Sequence, residues 1–223
     1  MDAVAVIPAY QSELTIGETV LAVISDPRIA EVIVVDDGSN DGTARAASVA
    51  GARVLRLPSN AGKGEALEAG MSATQSDIIV MIDADTGDSA KAALELIEPV
   101  ASGRADMAIG VLPGAGKMGG FGLVSKTAGR LIQIATGWRP RAPMSGQRAL
   151  RREVFEACRP LAYGFVTDAA LTTDAIRRGF KVIELDIDMT HRHRGRSFSG
   201  FAHRGRQGWH VLRALVPRVL RLR

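Results

Sequence analysis

The sequence predicts an α/β fold, a mostly parallel sheet with helices on both faces. Three observations lead there. Five short runs rich in Val, Ile, Leu or Met alternate with longer helical stretches over the first 110 residues. Each run is nearly continuous in apolar side chains, as strands covered on both faces are. Finally, the 223 residues are 46% apolar and 23% charged, ample chain and ordinary composition for one large buried core.

Taken in order, the strands are Ala3–Pro8, Glu31–Val35, Arg53–Leu57, Ile78–Ile82 and Met107–Gly110, with helices near 14–25, 42–50, 63–74 and 89–101. A βαβα rhythm of this kind implies parallel pairing through right-handed crossovers. Pro113 to Gly122 holds five glycines in ten residues and predicts a mobile loop. A helix near 123–136 follows, then a Pro/Arg loop from Trp138 to Pro143 and a short segment Met144–Leu150. Helices near 151–158 and 168–178 precede a strand from Lys181 to Ile187. The last 30 residues predict a basic loop and then a helix from about 199.

Composition narrows the function classes. No apolar run approaches the roughly 18 residues of a membrane-spanning helix. Met1-Asp2 runs straight into Val4–Ile7 without a basic segment, so a secretory signal is not expected and a cytoplasmic location is. The one cysteine, Cys158, excludes an internal disulfide and reads as a packing residue. The net charge of +4 hides an asymmetry: residues 1–188 hold all 24 acids and net −5, whereas 189–223 carry nine arginines and no acid. An acidic body with a basic tail suits contact with an anionic surface.

In parallel sheets ligands sit beyond the carboxyl ends of the strands. Strand one ends in Pro8-Ala9-Tyr10, and strand two in Asp36-Asp37-Gly38-Ser39, followed by Asn40-Asp41-Gly42-Thr43. Adjacent carboxylates repel unless a base, a ribose hydroxyl, a cation or a metal pairs with them. Asp41 or Thr43 could cap the next helix. Strand three leads into Asn60-Ala61-Gly62-Lys63-Gly64, a lysine opening a helix, which suits a phosphate. Strand four leads into Asp83-Ala84-Asp85, whose alternate carboxylates can share one hard cation. Any one of these clusters could be an ordinary turn. A dinucleotide fold lacks its glycine fingerprint here, because PAYQSE follows the first strand, and no P-loop spacing occurs. An Asp-x-Asp phosphatase is the closer competitor, although its pair usually ends the first strand.

PAY, VVDDGSNDGT at 34–43, NAGKGEAL at 60–67 and IDADTGD at 82–88 together resemble family 2 glycosyltransferases of the GT-A, Rossmann-like fold. Ser145-Gly146-Gln147-Arg148-Ala149, Gly164-Phe165-Val166-Thr167-Asp168, Glu184-Leu185-Asp186-Ile187 and HRHRGRS at 191–197 are similar to the polyprenyl-phosphate, dolichol-phosphate mannosyltransferase-like branch. The resemblance implies a nucleotide-sugar-binding half at 1–112, an acceptor-binding half at 113–198 and a basic amphipathic helix at 199–223. It also implies that Pro8, Ala9, Tyr10 and Glu13 border base and ribose, that Asp36 and Asp37 bind the nucleoside, and that Lys63 lies near the nucleotide pocket. Asp83, with Ala84, would face ribose or metal, and Asp85 would hold Mg²⁺ or Mn²⁺ on the diphosphate. Arg148, Arg192, Arg194 and Arg196 would face phosphates of donor or acceptor. Asp168 is a general base if the nucleophile is a hydroxyl; for an ionised lipid phosphate it orients groups or simply caps its helix. Gly87 stands where some members carry a glutamine metal ligand.

The implied activity is inverting, metal-dependent transfer of a sugar to a polyprenyl phosphate at the cytoplasmic membrane face. A soluble phosphorylated metabolite or glycan as acceptor, and a nucleotide-sugar-binding protein without turnover, are the alternatives. From Trp209, the residues Leu212, Leu215, Val216, Val219 and Leu220 recur at helical spacing among arginines, a pattern suited to a membrane interface. That stripe could equally pack on the domain or on a second copy as a homodimer. His191 and His193 have no carboxylate or cysteine beside them to complete a zinc site. Nucleic acid is not expected, since no recognition motif accompanies the arginines.

Overall fold

The computed structural model describes residues 2–113, 121–162 and 164–190. The expected C-terminal helix from 199, the histidines 191 and 193, most of the glycine loop and Arg192, Arg194 and Arg196 lie outside the described residues.

Seven strands form one sheet. They are β1 Ala3–Ala9, β2 Ile29–Asp36, β3 Arg53–Arg56, β4 Ile78–Met81, β5 Met107–Val111, β6 Arg148–Arg151 and β7 Val182–Asp186. Their spatial order is β3-β2-β1-β4-β6-β5-β7. All pairings are parallel except those of β6, which runs antiparallel between β4 and β5. Because β6 is reversed, its first residue, Arg148, pairs with Met81 at the carboxyl end of β4. Pro8 lies inside β1 at no cost in hydrogen bonding. Val6 accepts from Ile82 on the β4 side, so the Pro8 nitrogen two residues on faces that same side, beyond the end of β4.

The helices are α1 Ile16–Ile24, α2 Thr43–Val49, α3 Lys63–Ser72, α4 Ile97–Ala101, α5 Phe121–Thr136, α6 Arg152–Cys158 and α7 Thr167–Arg177. The sequence predicts one helix over 89–101, whereas the chain forms a 3-10 helix over Gly87–Leu96 and then the short α4. Pro99 has no N–H for the Glu95 carbonyl, so a continuous α ladder cannot cross it; it sits instead in the first turn of α4. The segment Met144–Leu150, left without a type by its pattern, divides into a loop and β6.

Two apolar layers sandwich the sheet. Ala3, Ala5, Ile7 and Ala9 of β1 face one layer with Ile16, Val20 and Val23 of α1, and Leu94 and Leu96 of the 3-10 helix. Val4 and Val6 face the other, with Leu67 and Met71 of α3, Phe155 of α6 and Leu171 of α7. Both faces of β1 are thus covered, which is why its run is continuously apolar. A Cβ at Gly70 would reach 2.5 Å from Val6 and 2.8 Å from Val35, so α3 lies close upon the strands and carries Lys63 to the sheet's carboxyl edge. α5 and α7 share a third small cluster of Ala128, Ile132, Val166, Ala169 and Ala170.

Candidate functional site

The ends of β1, β2, β4, β5 and β7, the start of β6 and the first turns of α3 and α7 meet along one edge. That edge collects Pro8, Ala9, Tyr10, Glu13, Asp36, Asp37, Lys63, Asp83, Ala84, Asp85, Arg148 and Asp168. Thr190 is tied to the segment after Asp85: Ser89 Oγ donates to Thr190 O at 2.8 Å.

Asp36 and Asp37 build this edge from within. Asp36 is fully buried; one oxygen accepts the Ser39 amide at 2.9 Å and the other faces Arg56 Nε at 3.4 Å. Asp37 accepts the Ala61 and Gly62 amides at 2.7 and 2.8 Å, one on each oxygen. The repulsion between neighbouring carboxylates is therefore relieved by an arginine and a backbone turn of the protein itself, where the sequence left a ligand or metal as candidates. Gly38 between the loops has φ +72°, and a Cβ there would lie 2.6 Å from the Ser59 carbonyl carbon, so only glycine lets the two loops touch. Pro8 is half-buried and Ala9 buried beneath the rim, while Tyr10 is 46% exposed upon it. Glu13 is exposed and lies across Gly42. Asp41 accepts from both the amide and the hydroxyl of Thr43 at the start of α2. The Thr43 hydroxyl in turn accepts from the Ser12 amide at 2.8 Å.

The centre is a chain of charges drawn from four separate segments. Lys63 Nζ donates to Asp83 Oδ1 at 2.9 Å and to Asp168 Oδ2 at 3.0 Å. The second Asp83 oxygen accepts Gln147 Nε2 at 2.8 Å, and Gln147 Oε1 accepts the Asp83 amide at 3.2 Å. Behind them, Arg148 Nε stands 3.7 Å from Asp168 Oδ1. Its guanidinium donates to Ser145 O at 2.9 Å and to Thr172 Oγ1 at 2.8 Å. Burial pulls Lys63 down as a base, but Asp168 and Asp83 outweigh that and raise it well above the ordinary lysine value, so the ammonium stays charged. Arg148 is lowered by its burial, only partly offset by Asp168, Glu184 and Asp83.

Arg148 is wholly enclosed, so a direct contact with a substrate phosphate, expected from the sequence, is not what this geometry offers. Its place is behind Asp168. Asp168 does not cap α7 either; it lies in the first turn, after the capping position Val166, with its carboxylate turned to Lys63. Arg148 Nη2, Asp168 Oδ1 and Asp36 Oδ2 are buried without a hydrogen-bond partner among the described residues. Asp85 is exposed at the mouth, and Ala84 is buried. The Thr19 hydroxyl on α1 pins that loop, 3.2 Å from Ala84 O and accepting the Gly87 amide at 2.9 Å.

Two contributors escaped the sequence reading as site residues. Gln147 sits in the quoted Ser-Gly-Gln-Arg run, so its signal was present. Thr19 had only a polar residue on a buried helix face to betray it. Among the described residues no group of three or more His, Cys, Asp or Glu side chains could hold a metal ion. Asp83 and Asp85 place two carboxylates just beyond the end of β4, the side-chain type that suits a hard divalent cation.

The family model described as glycosyl transferase family 2 matches residues 4–159. Glycosyltransferase AglJ of Haloferax volcanii is 31% identical over 192 residues, covering 81% of this chain and 60% of the relative. The chain therefore spans about three fifths of that relative's length. Polyprenol monophosphomannose synthase of Mycolicibacterium smegmatis is 33% identical over 74% of this chain and 68% of its own. A crystal structure of glucosyl-3-phosphoglycerate synthase from Mycobacterium tuberculosis, holding Mn²⁺, UDP and glucosyl-3-phosphoglycerate, superposes with a TM-score of 0.81. It is 27% identical and covers 98% of this chain and 80% of that one.

Proposed function

We propose that this chain, which belongs to glycosyl transferase family 2 and has that family's GT-A fold, transfers a sugar from a nucleotide-sugar donor to a polyprenyl phosphate. Transfer would invert the anomeric carbon, as the resemblance implies, at the cytoplasmic face of a membrane. The observation that carries the choice of acceptor is the state of Asp168. Its two oxygens face Lys63 and Arg148 at 3.0 and 3.7 Å, and its side chain is only 4% exposed. A carboxylate so enclosed is out of reach of an acceptor hydroxyl, and an acceptor phosphate, already ionised, needs no base.

The donor would lie across the ends of β1, β2 and β4. Tyr10 and Glu13 on the rim, above Pro8 and Ala9, border base and ribose, and Asp36 and Asp37 hold the loops that shape this pocket. A divalent cation, Mg²⁺ or Mn²⁺, would be held by Asp85 with Asp83 and would stabilise charge on the departing diphosphate. Lys63, kept charged by its two carboxylates, adds a second positive centre beside that oxygen cluster. Arg148 positions Asp168, which in turn fixes Lys63. Arg192, Arg194 and Arg196 follow closely on Thr190, which is tied to the loop after Asp85, and would reach phosphates of donor or acceptor. On this reading 1–112 serves the donor, 113–198 the acceptor and 199–223 the membrane surface.

A second reading, a soluble phosphorylated acceptor, is favoured by the near-complete overlap with the phosphoglycerate-using enzyme. One assay separates the two. Labelled UDP- and GDP-sugars with Mn²⁺ are offered to a polyprenyl phosphate and to 3-phosphoglycerate, and label is counted in organic and aqueous phases. Label in the organic phase is expected; label only on phosphoglycerate would replace the lipid reading. Asp85→Asn should cut either transfer at least a hundredfold, about 2.7 kcal/mol of lost transition-state stabilisation. Its melting temperature should not move, because the side chain is exposed.

A further inference from the structure

The place of Lys63 has a consequence for how a metal can enter. Its ammonium sits on Asp83, a residue that the reading above assigns to the cation. Lys63 and Asp83 are each about a quarter exposed, whereas Asp168 behind them is 4% exposed. A cation entering the cleft meets Asp83 before Asp168. It finds one carboxylate oxygen occupied by the ammonium and the other by Gln147. The backbone at Gly146 closes over Lys63 and Asp83 so tightly that a Cβ there would stand 2.5 Å from both Asp83 oxygens and 2.6 Å from Lys63 Nζ. A divalent ion on Asp83 would therefore share an oxygen cluster with a positive charge held within hydrogen-bond distance of it, which Coulomb repulsion opposes.

We infer that Lys63 is an internal stand-in for the divalent cation, so that metal binding at Asp83 and Asp85 is conditional on a nucleoside diphosphate. This rests on the reading of Asp83 and Asp85 as the metal carboxylates. The diphosphate supplies two things the protein lacks at this edge. Its oxygens complete the cation's shell, and its negative charge accommodates the cation and the ammonium together. Asp168 keeps hold of Lys63 throughout, so the lysine is released from Asp83 without leaving the site. Metal and diphosphate then bind with positive coupling, and the coupling is reciprocal.

The experiment reads metal affinity, not turnover. Mn²⁺ is titrated into the full chain, with free Mn²⁺ followed by electron paramagnetic resonance, alone and with saturating UDP or GDP. In the wild type, Mn²⁺ affinity should rise about thirtyfold with one of the diphosphates. Lys63→Met should bind Mn²⁺ alone at least about tenfold more tightly than the wild type and lose most of the coupling. Lys63→Arg, which keeps the charge, should behave as the wild type. If Lys63→Met gains no affinity for Mn²⁺ alone while the wild type retains its coupling, the stand-in role is overturned and the metal site stands. If the wild type binds Mn²⁺ equally well with and without diphosphate, the inference fails without recourse to any variant. If Mn²⁺ binds under none of these conditions, the assignment of Asp83 and Asp85 falls with it.

Discussion

A single lysine, contributed by the first turn of α3, joins carboxylates 20 and 105 residues away. What such a contact does to stability follows from its sign. The folded-state pKa of Lys63 lies above the ordinary value of 10.5. Its contribution is therefore complete below 10.5 and fades only as pH rises through the folded-state value. The stability difference between wild type and Lys63→Met should thus stay flat from pH 6 to 9 and shrink in more alkaline buffers; a difference that vanishes near neutrality would contradict the ion pairs. Arg148 is the harsher case, since its guanidinium is buried against a buried carboxylate. Arg148→Met should cost about 3 kcal/mol in urea unfolding, because Asp168 loses a counter-ion. Arg148→Met combined with Asp168→Asn should recover at least about 1 kcal/mol relative to additivity.

Elements matter here through how closely they can approach. α3 contacts the turn before α7 at Gly64, where a Cβ would overlap the Ala162 carbonyl oxygen and come 2.8 Å from Thr167 Oγ1. Alanine is the better helix former by about 1 kcal/mol, so propensity alone predicts that Gly64→Ala stabilises. The overlap is with backbone, which cannot swing aside. Net destabilisation of about 1–3 kcal/mol is expected, and a rise in the urea midpoint would show that α3 stands further off. Because α3 carries Lys63 and α7 carries Asp168, the same change should also weaken nucleotide binding. The reversed strand β6 is the other decisive element. It delivers Gly146 and Gln147 to Asp83 from the opposite direction.

Across the whole molecule, the acids and the surplus of arginine are segregated, with nine arginines and no acid after residue 188. Among the described residues no helix is long and apolar enough to cross a membrane. Contact with an anionic surface should then depend on the tail. Deleting 199–223 should abolish co-sedimentation with anionic lipid vesicles and leave the diphosphate-induced thermal shift intact. Wild-type binding should weaken as salt rises past about 0.15 M, where surface charges are screened beyond roughly 8 Å. Six of the seven strands, their parallel pairing and the identity of the acidic loops were legible in the sequence, because apolar runs and Asp/Gly turns are local signals; the reversed β6 was not. The positions of Asp85 and Lys63 beyond strand ends were legible for the same reason. Where Asp36, Asp37, Asp168 and Arg148 point was not. Their partners are the 61–62 amides, Arg56, Lys63 and one another, and only the closed fold chooses among such partners. Composition and periodicity determine by themselves which segments must be buried and which loops carry charge. The tertiary structure decides which charges neutralise each other, since Coulomb energy depends on distances that are set only when remote segments pack.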